Sequence, residues 1–372
     1  MLQSTAIRDV FQNCFLSGET MSAKLGAWSC SLGAVTIFVL ALLWGLAAPS
    51  GQETRFFRIG AAATSGTFFE IGGVIASAIS KPADSPPCEH GGNCGVPGLV
   101  AVTQATRGSV ENLRMIATGQ IESGIGQSDV AGWAFAGTGI FAADGPMKNL
   151  RAIASLFPES LQLVVRADSP IRSLADLKNK HISLGQTGSG TLADARIVLS
   201  AAGLTEKDIS AEFLRPSAAA GNVMDGSLDG FFLIGGVPVP AIYELASTTP
   251  IRLIPISDDV LGKMKQSSRS YRRSIISAGT YPGINVETPS LGFYALWIVS
   301  ADAPDDLIYG ITRALWNEAT QHLLEAHNAM GRQVRFDNAL DGLSVPLHAG
   351  AARFYREAGL PVDDEGALGK RD

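Results

Sequence analysis

Apolar residues recur along this chain with two alternating periods. Short runs with β-type alternation or continuous apolar character occupy positions 56–63, 161–166, 181–185, 231–235 and 251–256. Between them, helical spacing predicts helices over 67–81, 173–178, 191–202, 218–225, 304–329 and 348–358. Regular exchange of strand and helix is the pattern of an α/β protein built on largely parallel sheets. The late helix has a readable start. Asp302 precedes Pro304 in the first turn, and Asp305 and Asp306 suit the positive end of the helix dipole. Leu307, Ile308, Ile311 and Leu315 then follow helical spacing and are assigned to the core.

One element of the pattern occurs twice. Arg58-Ile59-Gly60 leads through a short loop into Ser65-Gly66-Thr67 and then Phe68-Phe69-Glu70. Far downstream, Ile182-Ser183-Leu184-Gly185 leads into Gly188-Ser189-Gly190-Thr191 and then Leu192-Ala193-Asp194. Each is a strand, a glycine-bearing loop and an amphipathic helix with an acid three residues after the threonine. Thr67 with Glu70 fits a capping box, and Thr191 with Asp194 is a weaker version. Phe68, Ile71, Ile75 and Ile79 share one face, as do Leu192, Ala195, Val198 and Ala202. A Ser/Thr/Gly loop feeding a helix start gathers unpaired N–H groups, hydroxyl donors and the positive dipole end. Either loop alone reads equally well as a capped helix. The pair, one early and one in mid-chain, points to an anion-binding cleft between two lobes.

The N-terminus changes the picture. From Leu25 to Gln52 no residue is charged. Lys24 precedes a strongly apolar stretch that ends in Ala47-Ala48-Pro49. This order is that of a secretory signal peptide over residues 1–50, with Met21 as a possible true start. The alternative is an uncleaved membrane anchor. Either reading puts the rest of the chain outside the cytoplasm, in the periplasm. Cysteine usage agrees: Cys14 and Cys30 lie in the presequence, leaving Cys88 and Cys94 in the loop CEHGGNCGVPG. Two cysteines in a glycine-rich loop of an oxidising compartment predict a disulfide. His90 between them does not complete a tetrahedral metal site.

Composition adds bounds. The chain has 372 residues, 46% hydrophobic and 17% charged, which supports a large core. A formal net charge of −6 without a basic cluster argues against nucleic acid. No Gly-x-x-x-x-Gly-Lys-Ser/Thr loop and no Gly-x-Ser-x-Gly elbow is present. Gly137-Thr138-Gly139-Ile140-Phe141-Ala142 matches a dinucleotide fingerprint formally, but it follows a helix-like stretch and reads as a turn. His90, His181, His322, His327 and His348 are dispersed, none beside an obvious nucleophile. No catalytic residue, metal or cofactor is nominated, and the chain is read as a binding protein rather than an enzyme.

Several segments carry a resemblance. RIGAAATSGTFFEIGGVIASAIS, CEHGGNCGVPGLVAVTQATRGSVENL, IESGIGQSDVAGWAF, GQTGSGTLADARIVL, FFLIGGVPVPAIYELAS and ALDGLSVPLHAGAARFYREAG resemble the TAXI-type solute receptors of tripartite ATP-independent periplasmic (TRAP) transporters. The likeness runs from about Phe56 to Gly359. It implies a type II periplasmic-binding-protein-like α/β fold, two lobes with a ligand cleft between them. Residues 54–160 plus 251–372 are expected to form lobe 1, and 161–250 lobe 2. It implies a monomer, a small carboxylate ligand (a glutamate-like amino acid, a 2-oxoacid or a dicarboxylate) and delivery to permease subunits driven by an ion gradient.

Carried onto this chain, the resemblance makes Ser65, Gly66, Thr67 and Phe68 one wall of the cleft. Gln127, Ser128 and Asp129 open the next helix. Ser128 is a donor to a carboxylate, and Asp129 either accepts from a ligand amine or caps the helix. Gly188, Ser189, Gly190 and Thr191 supply the opposing clamp, and Gly235, Gly236 and Pro238 the turn beneath it. Phe157 stands where relatives often carry tyrosine, leaving stacking or packing in place of a hydroxyl. Glu159 reads as a solvated hinge charge or a second amine acceptor. A periplasmic sensor that partners a signalling membrane protein, or an enzyme on the same fold, are the competing functions.

Overall fold

The computed structural model describes residues 54–90, 94–267 and 271–362. The expected signal peptide and the Met21 start lie outside these residues. In chain order the elements are β1 (Arg55–Gly60), α1 (Thr67–Ile79), β2 (Ser80–Lys81), β3 (Val96–Pro97), β4 (Leu99–Gln104), α2 (Ser109–Ala117), β5 (Ser123–Gln127), α3 (Ser128–Ala136) and β6 (Leu150–Arg166). They continue with β7 (His181–Ser183), α4 (Gly190–Ala201), β8 (Ser210–Glu212), α5 (Pro216–Asp225), β9 (Gly230–Gly235), α6 (Pro240–Thr248) and β10 (Ile251–Ile254). The last are α7 (Asp258–Ser267), β11 (Arg272–Ile276), β12 (Thr288–Ser300), α8 (Asp305–Leu315), α9 (Glu318–His327) and α10 (Ala349–Glu357).

One sheet runs through the molecule in the order β3-β2-β4-β1-β5-β12-β6-β9-β7-β8. Parallel β1, β4 and β5 build one end, and parallel β7, β8 and β9 the other. Two long antiparallel strands, β6 and β12, join them. The core divides along those strands. Leu150 to Phe157 of β6 and Ala295 to Val299 of β12 pack into the first lobe's core, whereas Leu161 to Val165, Leu291 and Phe293 pack into the second's. Each strand therefore changes lobe within four residues. The result is the two-lobed α/β architecture of the type II class. Ile251, Ile254, Leu261, Tyr271, Ile276 and Tyr281 also pack into the second lobe. The boundary expected at 250/251 is thus misplaced. Segment 251–293 returns to cover the second lobe, because β10 pairs with the far end of β6.

Local differences have identifiable causes. The helix expected over 304–329 is two helices, because Asn317 accepts a hydrogen bond from the Thr320 amide at 2.8 Å and starts a new one. The 173–178 segment is a single tight turn, Leu174–Leu177, held by a Ser173/Asp176 capping box. The first loop's cap is Gly66 and not Thr67, which is already the first helical residue. Gly137, in the left-handed region, ends α3, so the Gly137–Ala142 stretch follows a helix. Cys88 and Cys94 are joined by a disulfide. Among the described residues no helix is long and apolar enough to cross a membrane.

Candidate functional site

Where the lobes meet, five helices begin at one small cavity. It is lined by Gly66, Thr67 and Phe68 at the start of α1 and by Gly108 and Ser109 at the start of α2. Gln127 caps α3 there, Ser189, Gly190 and Thr191 open α4, and Pro216 begins α5. The cavity volume is about 60 Å³. The first N–H groups of a helix lack intrahelical partners, and each start carries a partial positive charge. Pro216 brings no N–H of its own, and α3 reaches the cavity only through its cap, Gln127. Five such ends around one cavity create a field suited to a small anion. The α2 start was not foreseen, although Gly108-Ser109 followed by Val110, Leu113 and Ile116 repeats the same loop-to-helix signal.

The lobes are hydrogen-bonded around this cavity. The Gly236 amide donates to the Thr67 hydroxyl at 3.1 Å, and the Glu111 amide to the Gly188 carbonyl at 3.2 Å. Gln186 Nε2 donates to the Arg107 carbonyl at 2.8 Å, and Gln333 Nε2 to the Val237 carbonyl at 3.3 Å. Gln127 bridges the lobes as well. Its Nε2 donates to Asp194 Oδ2 in the opposite lobe at 3.1 Å, while its Oε1 accepts from Ser109 Oγ at 3.3 Å. Glycine is required opposite it: a Cβ on Gly190 would lie 1.6 Å from Gln127 Oε1.

The sequence-nominated residues separate into groups. Gly66, Thr67, Phe68, Gln127, Ser189, Gly190 and Thr191 line the cavity together. Thr67 and Thr191 hold the lobes and the local fold as well, since Thr191 Oγ1 accepts from the Ile234 amide at 3.1 Å. Ser189 caps α4 by accepting from the Leu192 amide at 3.1 Å. The Ser65 hydroxyl is buried without a partner in the loop before α1. Phe157 packs edge-on to Phe68 with ring centroids 6.2 Å apart, which is a packing role. Gly236 sits against Met330 and Phe157, where a Cβ would collide with both. Gly188 lies beside Arg107 just outside the cavity, and Pro238 follows a cis peptide in the turn after β9. Neither Gly188 nor Pro238 lines the cavity.

Ser128 and Asp129 also fall outside it. They border a separate groove of about 1480 Å³ between α3, α4 and α7. Ser128 Oγ accepts from the Tyr294 amide at 3.2 Å. Asp129 is buried, and neither of its oxygens has a conventional donor. It faces the carboxyl of Asp194, also buried, which accepts from Gln127 and from Tyr271 OH at 3.4 Å. Burial pushes Asp129 up to about 6, and a proton on Asp194 directed at it works the other way. Burial, then the charge of Asp129, raises Asp194 well above the usual carboxylate range. Glu159 is 1% exposed with both oxygens unpartnered, so the reading as a solvated charge is wrong. Burial first, then Asp129, raises it well above its ordinary value. Pro158 beside it faces solvent, while Glu159 points the other way, as alternation along β6 requires.

Arg107, next to the unforeseen α2 start, was also missed by sequence reasoning. It lines the rim, and its guanidinium is 3.9 Å from Glu111 with a 64% exposed side chain. The nearby Thr106-Arg107-Gly108-Ser109 order was the available signal.

A profile described as the NMT1-like family matches residues 59–359. Solved structures with similar folds include the periplasmic aliphatic sulphonate binding protein SsuA from Escherichia coli. It shares 14% identity over 80% of this chain and 78% of that one, with a TM-score of 0.41. The alkanesulfonate-binding SsuA from Xanthomonas axonopodis, bound to MOPS, shares 18% over 82% and 84%, with a TM-score of 0.42. PhnD1 from Prochlorococcus marinus, in complex with methylphosphonate, shares 13% over 82% and 98%, with a TM-score of 0.45.

Proposed function

The chain belongs to the NMT1-like family, and from that premise we propose that it is an extracytoplasmic receptor whose two lobes close on a small anionic solute. The observation that carries this reading is the convergence of five helix starts on one cavity at the lobe interface. Nothing there resembles a nucleophile with an ordered base. The preferred ligand is a small carboxylate, a glutamate-like amino acid or a 2-oxoacid, handed to the permease of a TRAP transporter. This finer reading rests on the TAXI-type resemblance. The cavity lining itself offers amide N–H groups, hydroxyls and the rim guanidinium of Arg107, and no acid to receive an amine. That favours a 2-oxoacid or dicarboxylate over an amino acid.

The test is a thermal-shift and calorimetric screen after unfolding and refolding to strip carried-over solute. The panel holds 2-oxoglutarate, succinate, glutamate, methylphosphonate, ethanesulfonate and neutral sugars. A ligand at a hundred times its dissociation constant stabilises the fold by about 2.7 kcal/mol. Stabilisation confined to carboxylates supports the full reading. Stabilisation by phosphonate or sulfonate alone keeps the receptor and removes the carboxylate. No response to any anion overturns the proposal.

A further inference from the structure

Two carboxyls, Asp129 and Asp194, face each other on the groove side of the Gln127–Gly190 contact, and a third, Glu159, is buried where its ionisation feels Asp129; each comes from a different part of the closing machinery. Asp129 comes from α3 in the first lobe, Asp194 from α4 in the second, and Glu159 from β6 at the point where that strand changes lobe. All three are at most 1% exposed. No cation among the described residues pairs with them. From the neighbouring elements come Gln127, which holds Asp194, and the Tyr271 hydroxyl. The basic residues of the groove are engaged elsewhere: Arg196 with Glu206, Lys263 with Asp259, and Arg272 over the Tyr294 ring at 5.0 Å.

An isolated charge in such a place costs several kcal/mol, and two facing carboxylates cannot both ionise there. A proton on Asp194 relieves both problems, since its hydroxyl donates to the otherwise donor-poor Asp129. We propose that closure of the two lobes takes up a proton, held between Asp129 and Asp194 across the interface. Opening separates α3 from α4, admits water and lets the carboxyls ionise. Retention of solute is therefore strongest at low pH and weakens as pH rises.

The direction follows from linkage. In the closed form the acids bind protons more tightly than in the open form. Closure is unaffected by pH below the ordinary carboxylate range. It loses free energy as pH climbs from there through about 6 for Asp129, and further for Asp194 and Glu159. Within that window a solute's dissociation constant rises by roughly tenfold per pH unit for each proton taken up.

The inference rests on the clamshell reading above, but its test needs no solute. Small-angle X-ray scattering of the ligand-free protein from pH 5 to pH 9 should show compact lobes at the acid end and expansion toward the alkaline end. Asp194→Asn keeps a donor toward Asp129 at every pH, so its expansion midpoint should move up by more than about one pH unit. Asp129→Asn, placed on the opposite lobe, gives the same comparison should the first variant fail to fold. An unchanged radius of gyration across the range in the wild type, or a midpoint that neither variant moves, overturns the proposal. A protein that ignores every anion in the panel yet opens with pH would lose its receptor function while keeping the proton linkage.

Discussion

The cavity and the carboxyl cluster lie on opposite sides of the same contact, yet their electrostatics are opposed. On one side of Gln127, helix starts from both lobes bring N–H groups and partial positive charge to a small space. On the other lie three buried acids, and the two side-chain donors beside them, Gln127 and Tyr271, both serve Asp194. Gln127 touches both, with Oε1 turned to Ser109 and Nε2 to Asp194. The first region is built to attract something that is absent in the open form. The second is built to be uncomfortable unless a proton is present. Closing the lobes assembles both at once, and this is the physical basis for expecting solute and proton to act on one equilibrium.

The sharpest way to break the comparison is to prevent the contact itself. Gly190→Ala puts a methyl where Gln127 Oε1 stands, and Gln127 is pinned at both ends. Overpacking of this kind costs about 1–3 kcal/mol. All of it falls on the closed form, because an open cleft has room for the methyl. Affinity for the solute identified by the screen should fall roughly ten- to hundredfold, with the ligand-free melting temperature little changed. Equal affinity would mean that Gly190 and Gln127 do not meet when solute is bound.

The acidic side can be tested separately. Glu159→Met replaces an unpartnered buried carboxyl with an apolar side chain of similar length. Burying an unsatisfied polar group costs about 1–3 kcal/mol, and the cost grows as the carboxyl must ionise. Because the fold raises Glu159 above its ordinary value, wild-type stability declines as pH climbs out of the carboxylate range. The variant should therefore melt higher than wild type at pH 4.5 already, and by a wider margin at pH 8. A variant that melts lower at both pH values would give Glu159 a partner that the structure does not show.

These two regions were not equally legible in the sequence. The cavity wall announced itself through residue type: Ser-Gly-Thr at a helix start drew attention to Gly66, Thr67, Ser189, Gly190 and Thr191, whereas Gln127 came from the family resemblance. The amphipathic faces were equally plain, with Phe68, Ile71, Ile75 and Ile79 all buried. Asp194 was visible only as a weak cap. Its burial depends on Tyr271 and Gln127, which are 77 and 67 residues away in the chain. Glu159 looked like a surface charge beside a proline, because nothing local says that β6 runs through the middle of the sheet beside β12 with the Glu159 face buried. The lobe boundary failed for the same reason. Segment 251–293 has the composition of either lobe, and only the pairing of β10 with β6 decides where it packs. The unbroken apolar spacing hid the start of α9 at Asn317, whose capping role needs the three-dimensional turn.

A third variant sharpens the anionic half of the comparison. Ser189→Ala with Thr191→Ala removes the α4 cap and the hydroxyl that receives the Ile234 amide. Loss of a cap costs about 1 kcal/mol of stability, so the melting temperature should drop modestly while solute binding weakens several-fold. Unchanged affinity would leave the backbone of α4 as the sole contribution from that lobe.

The smallest effect belongs to Arg107. Its guanidinium stands at the cavity rim, 3.9 Å from Glu111 and well exposed, so solvent screens whatever it does. Exposed ion pairs contribute about 0–1 kcal/mol, and Arg107→Gln should weaken binding by no more than roughly fivefold. The loss should be larger for a dianion such as 2-oxoglutarate than for a monoanion. It should also shrink as salt rises from 20 mM to 500 mM, because a rim charge acts through solvent. The five helix starts, enclosed between the lobes, should keep most of their contribution at high salt. A salt-independent loss of tenfold or more would move Arg107 from the rim to the ligand itself, and would make a fixed guanidinium rather than helix dipoles the main source of anion affinity.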